Sequence, residues 1–170
     1  MIWKWILGIA AVPLGVAAIV AGIGALLPRE HVARGDRLVA ASPEQLAATI
    51  RAVEAYPRWR SGVERIERVE RHGSEVRFVE HSGGDAIAFA LVEEEAGRRF
   101  RSTITDPDLP FGGFWTIALE SAGERTRVTI EEHGFVGNPI FRFVSALVFG
   151  HEATLRTNLD DLERRWAGGS

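Results

Sequence analysis

From Gly62 to His133 the hydrophobic period of this chain is two, and that constrains the fold more than any other feature. Strict alternation sends successive side chains to opposite faces of a strand. The spacing predicts strands over 63–71, 75–82, 86–95, 98–105, 113–121 and 125–133. The separators are His72-Gly73-Ser74, Gly83-Gly84-Asp85, Ala96-Gly97, the stretch from Asp106 to Gly112, and Ala122-Gly123-Glu124. Glycine beside short polar residues is turn chemistry. Ile87, Phe89 and Leu91 share one face, as do Phe100, Ser102 and Ile104, then Trp115, Ile117 and Leu119, then Val128 and Ile130. Arg99, Arg101, Arg127 and Glu131 take the other. Strands with this pattern form an antiparallel meander, one face buried and one wet.

Helical signals flank the meander. A first strand over Asp36–Ala41 runs into Ser42-Pro43-Glu44-Gln45. Ser42 suits the N-cap, Pro43 the first helical position, and Gln45 can reach back to close a capping box. The helix extends to about Glu54 with Leu46, Ile50 and Val53 on one face; Pro57 ends it, and Tyr56–Arg60 reads as a short helical turn. At the other end Asn138 and Pro139 open a helix predicted to reach Trp166, a length of about 40 Å at 1.5 Å per residue. Leu155, Leu159, Leu162 and Trp166 form its apolar stripe, while Ile140–Phe149 is interrupted only by Arg142 and Ser145, and Gly150 marks a bend.

The start of the chain is of another kind. Residues 5–27 hold no charged side chain in 23 consecutive positions. A helix of that length covers the roughly 30 Å hydrocarbon core of a bilayer. The run is longer than a signal-peptide core and ends in Leu26-Leu27-Pro28 without a small-x-small cleavage site, so it reads as an uncleaved anchor. Trp3 and Trp5 sit where interfacial aromatics are favoured. The predicted organisation is a flank over 1–4, a transmembrane helix over 5–27, a polar connector over 28–35 and one domain over 36–167. Arg29, Arg34 and Arg37 follow the anchor whereas only Lys4 precedes it. The positive-inside rule therefore favours a cytoplasmic domain.

Composition excludes several function classes. Twenty basic and 23 acidic residues give a net charge of −3, and no basic tail or block supplies the concentrated positive charge that nucleic acid needs. There is no cysteine, hence no disulfide, thiol nucleophile or zinc-thiolate site. His133 and His151 have no neighbour at metal-ligand spacing, so no metal is expected. Phosphate-cradle, dinucleotide and nucleophile-elbow signatures are missing, and no cofactor is expected.

The order strand, two helices, six strands, long helix resembles the helix-grip fold. Glu54-Ala55-Tyr56-Pro57-Arg58-Trp59, following a Ser-Pro-Glu-Gln helix start, looks like the second-helix signature of the SRPBCC superfamily. That superfamily includes START lipid-transfer, birch-pollen-allergen-type and polyketide cyclase/dehydrase-like proteins. Asp106-Pro107-Asp108-Leu109-Pro110-Phe111-Gly112 and Asn138-Pro139-Ile140-Phe141-Arg142-Phe143 are similar to bacterial members with an N-terminal membrane segment. The resemblance implies an α+β fold in which a curved sheet of about seven strands wraps a long C-terminal helix, with a cavity between them. It also implies a bacterial inner-membrane location. It transfers no catalytic residue.

Chemistry then rests on the residues that face the cavity. By parity Phe78, Ile87, Phe89, Phe100, Ile104, Trp115, Ile117, Val128 and Ile130, with Phe143 and Leu147 of the last helix, are the candidate lining. Parity alone allows the same side chains to fill a solid core. Glu80 follows Val76 and Phe78 in alternation, and Glu132 follows Val128 and Ile130; they are the acidic residues whose parity points to the apolar face. Near strand ends both read first as solvated, with an inward carboxylate pair as the sharper alternative. His81 reads as a strand-edge histidine, or as a cavity acid/base. The expected function is a membrane-tethered module that binds a hydrophobic small molecule such as a lipid, isoprenoid, quinone or polyketide. The alternative is a cyclase, dehydratase or hydrolase acting on an apolar substrate through Glu80 and Glu132.

Overall fold

The computed structural model describes residues 19–144 and 153–167. Its centre is one seven-stranded antiparallel sheet in the order β1-β7-β6-β5-β4-β3-β2. The strands are β1 (Glu30–Val39), β2 (Val63–His72), β3 (Glu75–Ser82), β4 (Asp85–Glu95), β5 (Arg99–Ile104), β6 (Phe111–Ala122) and β7 (Arg125–Val136). Strands β2 to β7 follow the predicted segments to within a few residues. Their turns lie at Gly73, Gly83, Gly84, Gly97 and Gly123, all with positive φ, a conformation open to glycine at little cost.

β1 departs from expectation. It begins at Glu30, so most of the stretch read as a polar connector is strand, paired with β7 from Glu30↔Phe135 to Val39↔Thr126. EHVARG carries no clear alternation, and its pairing comes from a strand about a hundred residues later.

Between β1 and β2, which are opposite edges of the sheet, the chain crosses in α1 (Pro43–Arg51) and a 3-10 helix (Val53–Arg58). The Ser42 Oγ accepts from the Gln45 backbone N–H while Gln45 Oε1 accepts from the Ser42 N–H, forming the capping box. Leu46, Ile50, Val53 and Tyr56 are buried against the sheet. The predicted single helix to Glu54 ends instead at Arg51, and the 3-10 turn takes over.

After β7 come α2 (Pro139–Val144) and α3 (Ala153–Ala167). Whether one helix joins them falls on residues outside those described, as does Leu147. Leu155, Leu159 and Leu162 of α3 are at most 3 % exposed. Leu155 and Leu159 settle onto Gly35 of β1, where an added Cβ would meet Leu155 Cδ2 at 2.6 Å. Polar ties hold both flanks of α3. Arg37 of β1 donates to Asp160 and Glu163. On the β2 side Asp161, 1 % exposed, accepts from the Ser61 backbone N–H, from Ser61 Oγ at 2.7 Å and from Arg164. A curved sheet gripping its C-terminal helix is the arrangement the resemblance implies.

Residues 19–26 are helical. Gly24 passes so close to α2 that a Cβ there would stand 1.8 Å from the Pro139 carbonyl oxygen. Among the described residues no helix is long and apolar enough to cross a membrane. Most of the predicted transmembrane helix, residues 5–18, lies outside them.

Candidate functional site

A cavity of about 400 Å³ lies between the inner face of the sheet and α3. That is within the roughly 300–1,000 Å³ typical of small-molecule sites. An aromatic series crosses its floor. Trp59 meets Tyr56 edge-on with centroids 5.5 Å apart, Tyr56 meets Phe78 at 5.9 Å, Phe78 stacks on Phe89 at 5.6 Å, and Phe89 leans on Trp115 at 6.1 Å. Phe78, Phe89 and Trp115 come from three different strands, and alternation puts all three on the concave face. Tyr56 and Trp59 are brought to them by the 3-10 turn. Thr154, Asn158 and Leu162 of α3 contribute the roof.

Of the side chains singled out by parity, Phe78, Ile87, Phe89, Ile104, Trp115, Ile117 and Ile130 line the cavity. Phe100 and Val128 face the same side of the sheet but are fully buried at its far end, away from the cavity wall. Phe100 borders instead a separate hollow of about 100 Å³ beside Arg51 and Glu93. Phe143 sits half-buried on α2 and is not part of the wall. Parity gives the face of a strand, not the position along it.

Two carboxylates enter the cavity, against the solvated strand-end reading. Glu80 is 8 % exposed, and Arg60 Nη1 donates to its Oε2 at 2.6 Å. Arg60 also donates from Nε to Asn158 Oδ1 at 3.0 Å and lies over the Tyr56 ring, 4.8 Å from its centroid. Burying a carboxylate this deeply requires such a partner. Glu132 sits across the cavity, its Oε1 3.3 Å from His31 Nε2. Its Oε2 is buried without a hydrogen-bond partner, as are the indole Nε1 groups of Trp59 and Trp115. His81 has its partners in Arg65 and Glu67 on the charged surface and does not line the cavity.

Arg60, His31 and Asn158 went unnoticed as site residues in the sequence. They stand in a turn, in the supposed connector and on a helix, and no periodicity marks them. Trp59 figures there only as the end of the second-helix signature. The Tyr56 hydroxyl donates to the Ile50 carbonyl at 2.7 Å, and burial pushes its pKa far up, so it acts as a fixed neutral wall. Among the described residues no three His, Asp or Glu side chains converge to hold a metal ion.

The cavity opens at the end of the sheet where β1 begins and β7 ends. There His31, Phe111, Gly112, Gly113, Gly134 and Phe135 form its rim. Gly113 pairs with Gly134, Gly112 with Phe135, and His31 with Gly134. The Phe135 ring lies over Gly112 and the His31 imidazole over Gly134, at distances that a Cβ would close to 2.8 and 2.3 Å. This glycine strip lets His31 lie flat against the sheet and reach Glu132.

A family model described as polyketide cyclase / dehydrase and lipid transport matches residues 30–167. No curated relative matches the sequence. Among solved structures, a protein from Thermus thermophilus is similar at 26% identity, with 82% of this chain and 100% of that chain covered and a TM-score of 0.65. The Zhui aromatase/cyclase from Streptomyces sp. R1128 is similar at 14% identity over 83% and 99% of the two chains, TM-score 0.66. A START superfamily protein from Mycobacterium smegmatis is similar at 18% identity over 82% and 99%, TM-score 0.63. The sheet that grips α3, the cavity beneath it and a family match running from the first strand to the last helix agree, and the chain belongs to the polyketide cyclase/dehydrase and lipid transport family of the SRPBCC superfamily.

Proposed function

We propose that this chain is a membrane-tethered module that binds a hydrophobic small molecule in the cavity between sheet and α3. The observation that carries the reading is the cavity: about 400 Å³ floored by aromatic rings. Burial of apolar ligand surface there contributes about 25 cal/mol per Å². The tether is supported by where the mouth opens. Residues 19–26, which continue the apolar run, meet α2 at the same end as the rim. Ile19, Leu26, Phe141 and Phe135 are exposed there at 63, 88, 53 and 48 %. Exposed apolar groups gathered at one end suit a lipid surface. A bilayer at that end brings a membrane-resident ligand to the mouth at high effective concentration.

Native mass spectrometry of the full chain, extracted from membranes in mild detergent, tests this. The expected result is a stoichiometric apolar mass lost on denaturation. A bare chain that takes up nothing from a lipid and quinone extract overturns the reading. Recovery of the chain in the soluble fraction after cell lysis overturns the tether alone.

One observation favours a second reading, an enzyme of cyclase, dehydratase or hydrolase type: Glu80 and Glu132 both face the cavity. Paired carboxylates can divide the roles of general acid and base. On this reading an apolar substrate taken up by the chain is released with a changed mass, and Glu80→Gln and Glu132→Gln retain uptake but lose the change.

A further inference from the structure

Glu132 and Trp115 are direct partners across β6 and β7, so their side chains stand side by side on the concave face. Both line the cavity. Glu132 Oε1 is engaged by His31, while its Oε2 has no hydrogen-bond partner, and neither has Trp115 Nε1. A carboxylate oxygen only accepts and an indole N–H only donates. Buried polar groups without partners are costly, so a ligand that satisfies both gains over one that satisfies neither.

The chemistry that fits is narrow. A hydrocarbon end leaves both groups unsatisfied. A ketone, ether or quinone oxygen accepts from Trp115 but gives Glu132 nothing. A carboxylate brings a second negative charge beside Glu132. An ammonium pairs with Glu132 but cannot accept from Trp115. A neutral hydroxyl donates to one and accepts from the other. We infer that the ligand is an apolar molecule carrying a neutral hydroxyl, an alcohol or a phenol, which donates to Glu132 Oε2 while accepting from Trp115 Nε1. The inference rests on the binding reading above and names its ligand class. A water molecule has the same donor and acceptor pattern, and the ligand hydroxyl takes the place such a water would hold.

The test uses the full chain in phosphatidylcholine nanodiscs, with empty nanodiscs to subtract partition into lipid. Equilibrium dialysis compares 4-nonylphenol, its methyl ether 4-nonylanisole, and nonylbenzene. The phenol is expected to bind roughly tenfold or more tightly than the anisole, the usual scale for one hydrogen bond to a charged acceptor. Glu132→Gln is expected to shrink that ratio. Trp115→Phe is expected to weaken phenol and anisole alike relative to nonylbenzene, because both oxygens accept. Equal binding of all three by the unmutated chain overturns the hydroxyl inference and leaves the cavity reading standing. Binding of none overturns both. The ligand series is read on the natural sequence, so a variant that fails to fold does not remove the test.

Discussion

Asp161 ties α3, which roofs the cavity, to the turn before β2. The sheet is open between its edges β1 and β2, and α3 packs on β1 and is tied to the turn before β2. On the β2 side the described polar ties to α3 include Arg60 to Asn158, the bonds from Ser61 to Asp161 and a bond from Arg164 to Ser61 Oγ. Asp161→Ala removes a carboxylate, 1 % exposed, that accepts the Ser61 N–H and Oγ–H. Hydrogen bonds to a charged acceptor contribute about 1.5–3 kcal/mol each. Ser61 is exposed and its donors can turn to water, which lowers the expected total to about 2–4 kcal/mol. The Arg164 contact adds little, since that guanidinium is largely in solvent. For a domain of this size the loss is expected to lower the melting temperature by about 6–15 °C. Asp161→Asn is expected to cost less, because its Oδ1 still accepts the Ser61 N–H while its amide N–H2 donates to Ser61 Oγ, a hydroxyl that accepts as well as donates. Urea unfolding followed by tryptophan fluorescence measures both, at an unchanged m-value. A loss below about 0.5 kcal/mol for Asp161→Ala would refute the argument, since that is the scatter of ordinary surface substitutions.

Further outcomes follow from the same geometry. Glu93 accepts from Arg51 and from the Gly97 N–H, and these bonds bring its pKa down from 4.5 to about 2. A depressed carboxyl stabilises the fold above its ordinary value, and that share is lost as the pH falls from about 4.5 to about 2. Glu93→Gln is expected to cost about 1 kcal/mol at neutral pH and to flatten this acid limb in urea midpoints recorded against pH. Arg60→Met strands Glu80 in the cavity and is expected to cost about 2–4 kcal/mol, much of which Arg60→Met with Glu80→Leu recovers, as thermal melts of the three variants would show. Gly113→Ala places a Cβ 2.1 Å from the His133 carbonyl oxygen at φ +145. It is expected to cost about 3 kcal/mol or more, read as loss of folded chain in the same melts.

The strands were legible because their turns are. A glycine with positive φ stands in each turn between consecutive strands from β2 to β5 and again between β6 and β7, and alternation resumes after it. The capping box of α1 is equally local. β1 was half missed because its pairing partner lies at the other end of the chain, and nothing within EHVARG announces it. The site divides along the same line. Parity gave the direction of Glu80 and Glu132 but not their hydrogen-bond partners, which arrive from a turn and from the first strand. The preference for solvated ends failed because Arg60 and His31 make burial tolerable. Phe100 and Val128 lie on the expected face but outside the cavity wall, since parity carries no position along a strand; over the Phe100 ring stands Arg51 of α1.

The order of the elements gives the cavity a history. The first strand pairs with the seventh, and the roof of the hollow comes from the last helix. A chain still being synthesised has rings for a floor and nothing to close over them, and contacts this remote in sequence are slow to form. The hollow therefore comes into being only once α3 has been made. Until α3 docks, Phe78, Phe89 and Trp115 face outward as sticky surface. A molecule that settled on them before closure would be enclosed by the same step that completes the fold.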